Sequence, residues 1–280
     1  MEKLRKISVL AALALCTASL SAQSLQSREI SDGWSFRQRN IGEWAEAVVP
    51  GTVHQDLLRH GRIEDPFYRT NERDLQWIDK LDWEYKTDFD AAEAIGRDCV
   101  YLCFDGLDTY ATVYLNGRKL LTTDNMFRRY RVDVKELLRK GNNELRIVFA
   151  SPVRMGLSKL TAYGIPLRAN NDQSELGGLG PVKIAPFNRK AGYHFGWDWG
   201  PRLVTSGIWR PVRLEAWDAA RVADDYIYTK SCDSRRAVLG AEVTLEVVSA
   251  GRYDVEIRFG DRCVARFDRD LPAGRQTLTT

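Results

Sequence analysis

The sequence predicts an all-β protein: one β-sandwich followed by the beginning of a second. Three observations carry this. Short runs rich in β-branched and aromatic residues recur along the chain, several alternating with period two. Turn signals separate them, the clearest being Asn116-Gly117 between Tyr110–Leu115 and Lys119–Thr122. Asn and Gly both tolerate the positive φ that a two-residue hairpin needs. Helical patterns are few and short.

Taken in order, the chain opens on Lys3, Arg5 and Lys6, then an apolar run from Ile7 to Ala18, then the small-residue stretch Ser19-Leu20-Ser21-Ala22. That is the layout of a secretory signal peptide, residues 1–22, and it predicts an exported protein, periplasmic or secreted. The run falls short of the ~20 residues a bilayer span requires, and no later run is long enough, so no membrane span is expected. Cys16 as a lipoprotein anchor is disfavoured by the large Leu15 before it. Val53 to His60 reads as a short helix. Val100–Phe104, Tyr110–Leu115, Leu145–Phe149 and Val212–Trp217 read as strands of a first unit covering 25–217. Val134 to Arg139 reads as a second helix, with Asp133 at its cap, Glu136 at the capping-box position and Gly141 past its end. Arg128, Arg129 and Arg131 alternate with Tyr130 and Val132 and read as the solvated side of a strand. Val238–Val248 and Tyr253–Phe259 belong to a second unit, 220–280. With ~60 residues and three or four strands, it falls short of the ~100 residues of an immunoglobulin-like sandwich, so a truncated domain is expected.

Composition excludes several functions. The formal net charge is +3, and the first six residues supply +2 of it, so no concentrated basic face remains to bind nucleic acid. Three histidines, with no Cys/His spacing of the right kind, give no metal site, and no cofactor is expected. Beyond Cys16, the cysteines are 99, 103, 232 and 263. The first two sit four apart in one strand, too far to bond. Buried free thiols are expected rather than a disulfide framework; pairing of Cys232 with Cys263 would require neighbouring strands.

The stretch from Thr161 to Phe195 has no clear period. It holds Gly164, Gly177, Gly178, Gly180 and Gly192, yet also the aromatics Tyr163, Phe187, Tyr193 and Phe195. Loops this long are usually functional or disordered, and the aromatics favour order. It leads into Phe195-Gly196-Trp197-Asp198-Trp199-Gly200-Pro201-Arg202. A carboxylate between two indoles suits a sugar. Flat aromatic faces pack on the C–H side of a pyranose, and the carboxylate accepts from its hydroxyls. The spacing alone fits equally well two core tryptophans with Asp198 in a turn. His54, after a Pro-Gly turn, reads as structural, and His194 as a residue behind the site or in solvent.

Arg189-Lys190 with Phe195 to Arg202 resembles the signature of the sugar-binding domain of β-mannosidases of glycoside hydrolase family two. Other stretches agree in order: Val49-Pro50-Gly51-Thr52-Val53-His54; Asp65 to Tyr68; Gln76-Trp77-Ile78; Asp82 to Tyr85; Phe104 to Thr109; Val113 to Gly117; Asn125-Met126-Phe127; and Gly207 to Val212. The resemblance implies a jelly-roll sugar-binding domain, then an immunoglobulin-like domain, then a TIM barrel bearing two catalytic Glu that is absent from this chain. It implies hydrolysis of terminal, non-reducing β-D-mannose with retention. The substrate would be a β-mannoside or mannose-containing oligosaccharide, and the chain's own missing barrel would be its intramolecular partner. Trp197, Asp198 and Trp199 are the implied substrate-binding residues. Other specificities of the same family (β-galactosidase, β-glucuronidase, exo-β-glucosaminidase, endo-β-mannosidase) and a stand-alone carbohydrate-binding module are the alternatives.

Retaining hydrolysis needs two carboxyl groups ~5–5.5 Å apart. In this class of barrel the acid/base usually follows an Asn, which draws attention to Asn143-Glu144 and Asn71-Glu72. The first belongs to a turn after Gly141 that opens a strand, and the second to a charged loop. No catalytic residue is expected in this chain, because the ~250 residues of alternating β and α that make a barrel are missing.

Overall fold

The computed structural model describes residues 25–280; the expected signal peptide lies outside the described residues. The architecture is all-β, with sandwich-like sheets. The first unit uses ten strands: β1 (Gln26–Glu29), β2 (Ser35–Gln38), β3 (Ala45–Glu46), β4 (Trp83–Asp90), β5 (Cys99–Phe104), β6 (Tyr110–Leu115), β7 (Arg118–Thr122), β8 (Tyr130–Asp133), β9 (Asn142–Ala150) and β10 (Val212–Trp217). They form two antiparallel sheets, ordered β3-β2-β4-β9-β6-β7 and β1-β10-β5-β8. Alternate residues face inward, as the period of two requires. Val100, Leu102 and Phe104 from β5 meet Leu145, Ile147 and Phe149 from β9, with Trp34, Phe36 and Tyr85 closing the same core. Each such side chain contributes about 1.5–3 kcal/mol on burial, which is the term that holds the sheets face to face.

The hairpin β6–β7 turns on Asn116 (φ 51°) and Gly117 (φ 79°), and Leu115 pairs with Arg118, as the dipeptide predicts. Helix α1 (Val53–Arg59) also agrees; its N-cap Thr52 and Gln55 make a capping box. The second expected helix shrinks to one 3-10 turn, Lys135–Leu137, with the Asp133 carboxylate accepting from the Lys135 N–H at 3.0 Å. Strand β9 takes the residues beyond, starting at Asn142 rather than Leu145. Asn143 is fully buried there and bonds the backbone of Arg139 and Gly141, so it belongs to the strand as well as the turn. Helix α2 (Pro152–Tyr163) was not foreseen, although its signals are present: Ser151 accepts from the Arg154 N–H, Pro152 opens the helix, and Gly164 closes it at φ 78°.

The second unit has five strands: β11 (Ala220–Cys232), β12 (Ala237–Val247) and β15 (Gly274–Thr279) in one sheet, and β13 (Gly251–Phe259) with β14 (Arg262–Leu271) as a hairpin. Its buried core is Val243, Leu245, Val247, Leu271 and Leu278. Arg131 departs from the expected solvated face. Its guanidinium lies 3.8 Å from the Tyr101 ring centroid and 4.6 Å from that of Trp217, and bonds Glu246 of β12 at 2.9 Å. It therefore links the two units, while Arg128 and Arg129 stand exposed ahead of β8. The four cysteines among the described residues are unpaired; Cys103 is buried and Cys99 half-buried, whereas Cys232 and Cys263 are exposed rather than buried as expected.

Candidate functional site

The Gly- and Pro-rich stretch between α2 and β10 has no strands of its own, only short 3-10 turns, and is held by buried polar anchors. At its root Lys190 and Asp108 form an ion pair whose side chains are 0% and 1% exposed. The ammonium contacts both carboxylate oxygens and donates to the Thr205 carbonyl at 2.8 Å. The Thr205 hydroxyl donates to Asp108 at 2.7 Å. Asp108 and Gly207 exchange backbone hydrogen bonds at 2.9 and 3.0 Å. Three segments distant in sequence are thus fixed at one point. A pair this deep is tolerable only because the neighbouring donors and acceptors are used.

A second anchor follows the motif. Arg202 is fully buried, and its Nη1 donates to Gln76 at 2.5 Å and to Asp79 at 2.6 Å, while the Gln76 amide donates back to the Arg202 carbonyl at 2.9 Å. Burial pushes the Asp79 carboxyl up, against the pull of Arg202. Arg202 Nε, Arg202 Nη2 and Asp79 Oδ1 have no partner among the described residues. Gly177 is required here, because a Cβ on it would stand 2.6 Å from the Arg202 guanidinium carbon.

Between the anchors the chain runs out to a narrow tip. Phe195 is fully buried against Val153, Ile184 and Val204. Gly196 turns the backbone at φ 114°, and a Cβ there would strike Gln173 Cγ at 2.5 Å. Gln173 clamps this corner: its amide donates to the Trp197 carbonyl and its backbone N–H to the Phe195 carbonyl, each at 2.8 Å. Trp197 and Gly200 bond each other's backbones at 3.3 and 3.4 Å, which places Asp198 and Trp199 at the tip of a tight reversal. The indoles lie edge to face with centroids 6.0 Å apart. Trp197 is 37% exposed, Trp199 84%, and Asp198 is exposed between them.

The structure therefore brings the three expected site residues together on one projecting arm. The core-anchor alternative fails for Trp199, because a core tryptophan does not leave most of its surface in solvent, while Trp197 is packed over the larger part of its surface. The arm offers two aromatic walls and a carboxylate that has no hydrogen-bond or ion-pair partner among the described residues. Glu144 is exposed at the start of β9, Glu72 lies in a 3-10 turn (Asn71–Leu75), and neither is part of the arm. Sequence reasoning missed the anchors. Lys190 and Arg202 were visible as charges set among Gly, Pro and aromatic residues, but nothing in their spacing named Asp108, Asp79 or Gln173 as partners. His54 is buried, as its structural reading requires, and His194 stands behind the arm with Nδ1 3.2 Å from the Thr205 hydroxyl. A cavity of about 490 Å³ lies between β1, β10 and the Asp90–Ala94 turn, and contains no residue of the motif.

Residues 34–210 match the family described as glycosyl hydrolase 2 galactose-binding domain-like. The chain is 40% identical over 237 residues to Beta-mannosidase B of Aspergillus fumigatus, covering 82% of this chain and 27% of that protein. It is 38% identical over 257 residues to Beta-mannosidase B of Thermothelomyces thermophilus, covering 89% and 29%. The crystal structure of a β-D-mannosidase from Dictyoglomus thermophilum superposes with a TM-score of 0.77 at 35% identity, over 91% of this chain and 30% of that one. An exo-chitosanase from Amycolatopsis orientalis, at 20% identity and a TM-score of 0.67, shares the fold. The chain thus spans less than a third of the length of these relatives. By the match across 34–210, the chain belongs to glycoside hydrolase family two.

Proposed function

We propose that this chain is the N-terminal portion of a retaining exo-β-mannosidase that releases terminal, non-reducing β-D-mannose from β-mannosides and mannose-containing oligosaccharides. The observation that carries this is the arm: an exposed Asp198 held between Trp197 and Trp199 on two buried anchors. The kinship with proteins named Beta-mannosidase B supports the choice of sugar. In this reading the arm contributes binding. Asp198 accepts from sugar hydroxyls, the indoles wall the ring, and the carboxyl pair that breaks the bond comes from a barrel domain outside the 280 residues. The jelly roll is assigned to 25–217 and the immunoglobulin-like domain to 220–280, and the leader at 1–22 directs export. Mass spectrometry of the mature protein, expected to begin after Ser21 or Ala22, checks the leader.

Contacts to a charged acceptor contribute about 1.5–3 kcal/mol each, and in glycosidases those to the sugar strengthen in the transition state. Asp198→Ala in the full-length enzyme should therefore lower kcat/KM on an aryl β-mannoside by about 100-fold or more if two hydroxyl contacts are lost. Activity within about twofold of wild type would remove Asp198 from the site. A panel of aryl β-glycosides, with the mannoside expected to be turned over fastest, tests the specificity.

A further inference from the structure

Beside the arm, but not containing its tip, the sandwich carries a cavity of about 320 Å³. Phe67, Tyr193 and Trp209 supply aromatic wall, and Thr52, His54, Gln55 and His194 supply polar groups, with Asp108 sealed beneath them. Phe67 and Tyr193 are largely exposed at 74% and 62%. Trp209 is half-buried and immobilised: its indole N–H donates to the Met126 carbonyl at 3.1 Å, and Gly106 lets it pack so closely that a Cβ there would lie 2.4 Å from Nε1. His54 is only 7% exposed, and its Nδ1 is shielded from solvent with no hydrogen-bond partner. His54 therefore meets the cavity through the edge of its ring that stays accessible, not through Nδ1. We infer that this cavity is a second carbohydrate site, distinct from the arm, that takes one neutral pyranose ring.

The chemistry of the walls selects the ligand. Both imidazoles stay neutral at physiological pH. Burial, then the Lys190 charge, hold His54 and His194 at about 4. Lys190 and Asp108 cancel each other beneath them. A floor without net charge offers nothing to an anion or a cation. The Thr205 hydroxyl has one proton and gives it to Asp108, so His194 donates to it through Nδ1–H and keeps Nε2 as an acceptor. With Nε2 free to accept, His194 can take a hydrogen bond from a ligand hydroxyl. Aromatic walls with a few polar groups, in a space at the lower end of small-ligand pockets, suit a single ring that has an apolar face and several hydroxyls.

This inference does not rest on the proposed activity, and its test separates the two. The 280-residue chain is titrated with methyl β-D-mannopyranoside while the His imidazole resonances are followed by NMR. The expected result is a saturable shift of His54 and His194 with a Kd of about 1–10 mM, as befits one ring held by few polar contacts. The shift should persist in Asp198→Ala, weaken at least about fivefold in Tyr193→Ala and about tenfold in His54→Phe, on the scale of one lost contact each. Tyr193 is a rim residue, so its variant reads out binding even if His54→Phe folds poorly. No saturable shift of either histidine would overturn the site. So would a shift unchanged in both variants, or one abolished by Asp198→Ala, which would place the sugar on the arm.

Discussion

Replacing Lys190 with Met tests the central physical claim, that the arm is held by a charge pair sealed inside the sandwich. Lys190 is 0% exposed and Asp108 1%. Met matches the length and apolar stem of Lys, so the substitution removes little packing and mainly deletes the charge. It leaves the Asp108 carboxylate with two neutral donors, the Thr205 and Thr109 hydroxyls at 2.7 and 2.5 Å. Breaking a buried pair from one side costs about 3–5 kcal/mol, because the surviving charge stays desolvated without compensation. For a chain of this size each kcal/mol lowers Tm by about 2–4 °C, so the melting temperature should fall by about 6–20 °C. Adding Asp108→Leu removes the stranded charge. The double variant should then lie above the sum of the single losses by about 2 kcal/mol or more, the signature of coupled neighbours. Urea and thermal melts of wild type, both single variants and the double complete the cycle. A Lys190→Met variant melting within about 2 °C of wild type, or losses that add to within about 0.5 kcal/mol, would refute the reasoning.

Three further outcomes follow from the same geometry. His54 is held at about 4 against an ordinary 6.5, so the folded state resists a proton that the unfolded chain takes up. Stability should therefore fall as pH drops from about 7 towards 4, with about 3 kcal/mol from this group alone, and His54→Phe should show a shallower fall in urea melts; parallel curves would count against it. Gly196→Ala combines a left-handed φ of 114° with a collision at Gln173, and should cost about 1–3 kcal/mol and open the Trp197 corner, seen as faster proteolytic nicking there. Trp199→Ser removes a side chain that is 84% exposed, so its melting curve should match wild type to within about 0.5 kcal/mol while sugar binding at the arm is lost; a large loss of stability would mean the indole is part of the fold.

Much of the framework was legible because it is local. The alternation in Val100–Phe104 and Leu145–Phe149 specifies which side chains face inward, and Asn116-Gly117 specifies a turn through its two positive φ angles. The helix expected at Val134–Arg139 shows the limit. Asp133 still accepts from the Lys135 N–H, but buried Asn143 of β9 takes the Arg139 N–H and carbonyl, so one 3-10 turn remains. Tertiary pairing outweighs a propensity of a few tenths of a kcal/mol per residue. Helix α2 carries its cap signals in the sequence at Ser151, Pro152 and Gly164, and the tertiary structure adds the Ser151 hydroxyl donating to the Asp79 carbonyl at 2.6 Å.

The site divides along the same line. Trp197, Asp198 and Trp199 adjoin in the chain, so their chemistry could be read from order alone, as could the two-sheet class of the fold. Their exposure could not, for an indole's solvent contact depends on what packs around it. Nor could the pairing of Lys190 with Asp108, 82 residues away, or of Arg202 with Asp79, 123 residues away. A charge set among apolar residues announces that it needs a partner, but only the closed sandwich, by excluding water from that point, decides which carboxylate it finds.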